Sequence, residues 1–253
     1  MAATVQTPAP KATETADNAV RARQRLLALF LPITAVLYVS AEAMDPKGTD
    51  QVVTTTAGGV RLLAIAARHS AQLYVAGALS LLGLGALAVS YAAIAGLVRN
   101  RGWVVATVAT LLGGLGAFCG AIINVLVGVN LAAAATAHVS RDAAARYLVT
   151  SFGSTFAHLF SLAYFASEYA APVLMGFALW RSRAVPRWLA VLFAAGLEAA
   201  EAQSAKGPVV VWFMLPSAAA MFLLGARIWR AAARPAGRDP QPAPMPAPAP
   251  VGI

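Results

Sequence analysis

Charge is scarce in this chain. Asp, Glu, Lys and Arg make up 11% of its 253 residues, less than half of the ~25% typical of soluble domains, which excludes a water-soluble globule. Acidic charge is scarcer still, with 10 Asp and Glu against 19 Lys and Arg for a net charge of +9. A single cysteine, Cys119, lies inside an apolar run, so an internal disulfide framework and a cysteine-rich metal site are both excluded. The three histidines, His69, His138 and His158, show no His-x-x-x-His or Glu-x-x-His spacing, and neither a metal nor another cofactor is expected. Gly113, Gly114, Gly116 and Gly120 fall in mid-segment with no strand before them, so they suit close helix packing rather than a phosphate loop. Ser151, Ser154 and His158 are near in sequence, but no nucleophile signature accompanies them, which argues against an intramembrane serine protease.

What the chain has in quantity is apolar sequence, 59% of all residues. Six segments stand out, at roughly Leu26 to Ala43, His69 to Val98, Trp103 to Ala135, Ser151 to Trp180, Pro186 to Ala202 and Pro208 to Trp229. Unbroken Ala/Leu/Val runs lack the alternation of a barrel wall, and helices are the other way to satisfy a backbone in lipid. The expectation is an all-α, polytopic transmembrane bundle of about six helices over residues 25–231, with the lipid bilayer as its partner. The fifth segment is short for the ~20 residues that a span needs. Residues 1–24 read as a disordered tail, and residues 232–253, with their Pro-Ala repeats, as a second one of polyproline character.

Basic residues give the bundle a direction. Thirteen of the 19 flank the segments on one side: Lys11 and Arg21 to Arg25, then Arg99 and Arg101, then Arg181 to Arg187, then Arg227 to Arg238. By the positive-inside rule both termini are cytoplasmic in a cell-membrane protein, and Trp103, Trp180, Trp188 and Trp229 mark the same boundary. The basic residues sit in short groups between apolar runs, so nucleic acid is not an expected partner. Arg21 to Arg25, the apolar stretch after them and Ala41-Glu42-Ala43 also resemble a secretory signal with its cleavage site. The long polar stretch ahead of them speaks against it.

The few ionisable residues within the apolar segments are the candidates for function, since burying one at bilayer depth costs ~3 kcal/mol or more. Glu168 lies near the midpoint of the fourth segment, and no basic residue shares that span. His158, Ser161, Phe165, Glu168 and Pro172 advance by three and four and share a helix face. Phe156, Phe160 and Tyr164 flank that stripe, and Tyr169 adjoins Glu168. Glu42 and Asp45 close the first segment, and Glu198 and Glu201 stand one turn apart in the fifth. Asn124 and Asn130 add amides at the same depth, where hydrogen bonding between helices is their expected role.

A desolvated carboxylic acid keeps its proton at neutral pH and can donate it to an alkene or epoxide, and aromatic faces stabilise the resulting cation. Glu168, Glu42 or Asp45 would then be the proton donor, with His158 or a second carboxylate such as Glu198 taking the terminating proton. Phe156, Phe160, Tyr164, Phe165 and Tyr169 would line the path of the hydrophobic substrate. In size, helix content and acidic residues on separate helices, the chain resembles the small integral-membrane terpene cyclases over residues 26–230. That resemblance implies a metal-independent, proton-initiated cyclisation of an isoprenoid, with Glu42 and Glu168 as the acids. No Asp-Asp-x-x-Asp motif is present, against the metal-dependent prenyltransferase and cyclase classes. The competing expectation is a non-enzymatic membrane protein, such as a small proton-coupled transporter or a scaffold, in which Glu168 is the coupling carboxylate.

Overall fold

The computed structural model describes residues 11–46, 53–98, 101–124, 128–202 and 208–233. Nine α-helices occupy them: α1 (Lys11–Met44), α2 (Thr56–Arg68), α3 (Ser70–Ala95), α4 (Trp103–Asn124), α5 (Asn130–Thr136), α6 (Arg141–Phe152), α7 (Thr155–Ser182), α8 (Arg187–Ala202) and α9 (Val210–Ala233). Among the described residues there is no strand. Five stretches are long and apolar enough to cross a membrane: Asn18–Met44 within α1, and α3, α4, α7 and α9.

Six helices, α1, α3, α4, α7, α8 and α9, form a closed ring in which each packs on the next in chain order and α9 returns to α1. Neighbours run antiparallel, as alternate crossings require. Thr34 of α1 meets Ser90 of α3, while Gly83 of α3 lies beside Tyr38 of α1. The Arg25 guanidinium donates to the Ala232 carbonyl at 3.1 Å, so the start of α1 and the end of α9 share one end of the bundle.

The fifth apolar segment corrects the expected count. It forms α8, of 16 residues, about 24 Å at 1.5 Å per residue against a hydrocarbon core of ~30 Å. It keeps its place in the ring by burying one stripe, Leu189, Ala190, Phe193 and Leu197, against α7 and α9.

The remaining correction lies at the end of the ring away from Arg25. The connections expected there as loops carry α2 and α6, and the third apolar segment, expected to run as one helix to Ala135, divides into α4 and the short α5; none of α2, α5 and α6 is long enough to span. Thr55 and Ser140 cap α2 and α6 by accepting from Gly58 N and Ala143 N, which satisfies orphan amides of the first turn. Each helix has one apolar face, and Leu62, Leu63, Ala66, Ala144, Ala145 and Leu148 bury together with Leu131 and Ala132 of α5. The result is a cap with its own small core. Helix α1 also begins earlier than its apolar run, at Lys11, and its described first turns carry exposed Asn18, Ala19 and Val20. Ala41-Glu42-Ala43 is part of the same continuous helix, with Ala41 buried.

Small side chains set the helix spacing, as expected where lipid removes the hydrophobic drive between helices. A Cβ on Gly116 would sit 3.1 Å from Ser167 Cβ, and one on Gly176 would sit 2.7 Å from Ala194 Cβ. Large apolar groups such as Leu111, Leu162, Val173 and Phe222 are exposed on the outside, where lipid would meet them. The buried Thr34 and Ser90 hydroxyls are 3.0 Å apart and lie 2.7 Å and 2.9 Å from the Phe30 and Ala86 carbonyls of their own helices, so two protons serve three contacts. Thr34→Val is expected to cost about 1 kcal/mol, the net worth of one such hydrogen bond. Thermal unfolding in detergent reads it as a small fall in Tm.

Candidate functional site

Glu168 lies on α7 at a void that all six ring helices line. Tyr38 comes from α1, Leu84, Leu87 and Tyr91 from α3, Gly113, Gly116 and Ala117 from α4, Ser167, Ala171 and Pro172 from α7, Leu197 from α8 and Met221 from α9. Gly113 is required here because a Cβ would collide with the Tyr91 ring, and Gly120 because one would stand 2.6 Å from the Tyr164 ring. The Tyr38 hydroxyl donates to Glu168 Oε1 at 3.4 Å. Tyr38 is 8% exposed and Tyr91 2%, so the carboxyl faces a surrounding of aromatic rings and aliphatic groups.

The void is small, about 20 Å³. One water needs ~10–15 Å³ by this measure, so there is room for a single one. Toward the Arg25 end apolar side chains pack next to the void, and beyond them a cavity of about 290 Å³ is lined by Gln24 and Leu27 of α1, Ala93 and Leu97 at the end of α3, and Ile228 and Ala231 of α9. Tyr91 of α3 meets Phe193 of α8 edge to face, with centroids 6.2 Å apart. Leu31, Ile94, Met175, Leu179 and Leu224 pack into the same core.

Toward the cap the interior is polar. A chamber of about 80 Å³ is lined by Glu42, Asp45, Ser80 and Asn124, with Ala41, Leu73, Ala76, Gly77, Gly128 and Leu131. Tyr38, Glu42 and Asp45 advance by four and three along α1 and so follow one face of it. Tyr38 on that face meets the Glu168 carboxyl, and Glu42 and Asp45 on it line the chamber. Gln72 Nε2 donates to the Met44 carbonyl at 2.6 Å and its Oε1 is 3.2 Å from His69 Nδ1, which ties the end of α1 to the start of α3.

The other sequence-based candidates fall elsewhere. His158 is exposed, its Nδ1 2.9 Å from the Ser154 carbonyl. Phe156, Phe165 and Tyr169 are 54%, 50% and 39% exposed. Phe156 meets part-buried Phe160, which also meets Phe118 of α4, and Phe165 meets part-buried Tyr164. The single stripe through His158, Phe165 and Glu168 is therefore corrected: of its members, only Glu168 and Pro172 line the void. Helical rotation places Phe165 about 60° and His158 about 80° from Glu168. The interior position goes to the small residue next door, Ser167, 3% exposed against Gly116.

Glu198 is part-buried and lines neither the void nor the chamber; its Oε1 is buried and meets no hydrogen-bond partner among the described residues. The side chain of Glu201 lies outside the described residues. No group of three His, Cys, Asp or Glu that could hold a metal occurs among the described residues, and His69 and His138 are exposed as well. What the sequence reading missed is Tyr38, Tyr91 and Ser80. The one signal available for them was the helical spacing of Tyr38 to Glu42.

No family model, no curated protein and no solved structure matches the chain.

Proposed function

We propose that the protein is a proton-handling membrane protein of the proton-coupled transporter class, in which Glu168 takes up and releases a proton at the centre of the ring. The observation that carries this reading is the Glu168 carboxyl at a void that all six ring helices line, hydrogen-bonded by Tyr38. A carboxyl at that depth is costly and marks a proton or ion pathway more often than a packing role. Tyr38 donates to one carboxyl oxygen and leaves the other to carry the proton. One water fits beside them, enough to bridge a transfer. The polar face of α1 leads toward Glu42 and Asp45 in the chamber under the cap, while apolar side chains such as Leu31, Met175 and Leu224 pack on the Arg25 side. Arg21, Arg23, Arg25, Arg101, Arg181, Arg183, Arg187, Arg227 and Arg230 lie on the segment ends that share the Arg25 side, with the Arg187 guanidinium 5.1 Å from the Trp180 ring. By the positive-inside rule that end, with both termini, is cytoplasmic in the cell membrane.

The test is proton movement into vesicles that hold the purified protein and a trapped pH-sensitive dye. Uptake above that of empty vesicles is expected. Tyr38→Phe keeps the ring packing but removes the donor, and is expected to slow uptake on the order of tenfold, the worth of one hydrogen bond to a charged group. An unchanged rate in that variant would remove Tyr38 from the pathway.

A second reading has one observation in its favour: apart from Glu168 and Ser167, the lining is aromatic and apolar, as proton-initiated cyclisation of an isoprenoid would want. Its difficulty is volume. Pockets for small molecules run from ~300 Å³ upward, and the void of about 20 Å³ would have to open many-fold. Cyclic product from a linear isoprenoid, lost in the Glu168→Gln variant, would decide for this reading.

A further inference from the structure

The cavity at the Arg25 end shares no lining residue with the central void, and its wall has a chemical character of its own. Leu27, Leu97 and Ile228 give it apolar groups from the ends of α1, α3 and α9, and Gln24 adds an amide. Its volume of about 290 Å³ is close to the ~300 Å³ at which small-molecule sites begin. Gly96 and Ala231 in its lining are exposed, so it opens to the outside of the protein. Trp229, next to Ile228 in the chain, is 43% exposed, and a tryptophan at the end of a spanning helix marks the headgroup zone of a bilayer.

The charge around this cavity is of one sign. Arg25 lies in the seam between α1 and α9: its guanidinium donates to the Ala232 carbonyl at 3.1 Å, and the chain neighbours of these two residues, Gln24 and Ala231, line the cavity. The Arg25 Nε is buried and meets no acceptor among the described residues. Arg23 adjoins Gln24, Arg227 stands one turn before Ala231, and both are exposed. The charged side chains described at this end are all arginines, so no described carboxylate offsets them there. An apolar wall with guanidinium groups at its rim complements an amphipathic molecule of the opposite charge. Basic pockets between membrane helices hold anionic headgroups, and the arginine fork matches the oxygens of a phosphate. From these observations we infer that the cavity binds an anionic phospholipid, its phosphate beside Arg25 and Arg227 and its glycerol and first acyl carbons against Leu27, Leu97 and Ile228. The site stands apart from Glu168, and neither depends on the other.

The experiment is thermal unfolding of the detergent-purified full chain titrated with phosphatidylglycerol, beside phosphatidylcholine of the same acyl chains and inorganic phosphate. A ligand that binds the folded state alone raises Tm saturably. The expected result is a saturable rise with phosphatidylglycerol that the other two lack. Arg227→Gln is expected to move the half-saturating lipid concentration up by about tenfold, the loss of one charge-assisted hydrogen bond. Ala231→Trp puts a large ring into the cavity and should remove the response. Both positions are exposed, so Tm without lipid should stay near that of the native chain. The control is Arg181→Gln, which removes an exposed arginine at the same end from α7, a helix that does not line the cavity; its titration should match the native one. Equal weakening by Arg227→Gln and Arg181→Gln would mean a general attraction of anionic lipid to a basic surface and would overturn the site. An equal rise with phosphatidylcholine or with inorganic phosphate, or a full response in Ala231→Trp, would overturn it as well.

Discussion

Glu168→Gln abolishes proton uptake, on this account, and leaves the protein folded and inserted. The reasoning is one of shape and charge. Glutamine has the size of glutamate, and its amide oxygen accepts from the Tyr38 hydroxyl as Glu168 Oε1 does at 3.4 Å. The ring packing around Gly116, Ser167 and Ala171 is untouched. Removing an ionisable group from bilayer depth even relieves an insertion cost of ~3 kcal/mol, so Tm is expected to hold or rise. What the variant cannot do is bind and release a proton at that position. Uptake should therefore fall to the level of empty vesicles. Uptake at the original rate in a folded Glu168→Gln protein would show that the central carboxyl is structural. Loss of uptake together with loss of folding would be read from Glu168→Asp instead, which keeps the acid and should retain part of the activity.

The second large effect concerns the short helix. Gly196 of α8 lies where a Cβ would stand 2.7 Å from Ser217 N and 3.0 Å from Ser217 Cα of α9. Those are backbone atoms, and they cannot rotate away as the end of a flexible side chain could. Pro216, inside α9, supplies its carbonyl carbon at 3.1 Å from the same point. Gly196→Val is expected to push α8 and α9 apart and to cost more than the ~1–3 kcal/mol usual for overpacking a core. Since α8 closes the ring between α7 and α9, the loss spreads to the central void through Leu197. A Tm fall of several degrees or more, with lower yield from membranes, is the expected reading. Gly114→Val is the control, because no neighbouring atom lies within 4 Å of its Cβ position. Equal stability of the two variants would contradict the close packing of α8 on α9.

Much of the ring was legible in the sequence, for a physical reason. In lipid the backbone must satisfy itself, so each long apolar run becomes a helix and its ends fall near charged residues. That logic located α3, α4, α7 and α9 to within a few residues apart from the extra turns of α4's successor, α5. It fails for short amphipathic stretches, where burial depends on partners far away in the chain. Leu62 and Leu148 bury against each other's helices, and neither local sequence announces a partner. Length alone also could not tell that α8 stays in the ring at 16 residues.

The site was legible in part. Glu168 stood out because its neighbours are apolar. Its hydrogen-bond partner Tyr38 is 130 residues away in sequence, and no periodicity connects the two. The aromatic residues of α7 pointed the wrong way, because shared spacing says which residues lie on one face and not where that face looks. Close packing takes Ser167, Ala171 and Gly176 inward, and bulky Phe156, Phe165 and Tyr169 are left for the lipid side. The acids at the end of α1 were visible, whereas Ser80 and Asn124 gain meaning only from the chamber they share with Glu42 and Asp45.

The central claim is that Glu168 itself changes protonation in the middle of the bundle, and infrared difference spectroscopy across a pH titration tests it most directly. The account predicts a protonated-carboxyl band that disappears as the proton leaves, is absent from Glu168→Gln, shifts in Tyr38→Phe and persists in Glu42→Gln. A carboxyl band that survives in Glu168→Gln, or no titrating band at all in the native chain, would contradict it.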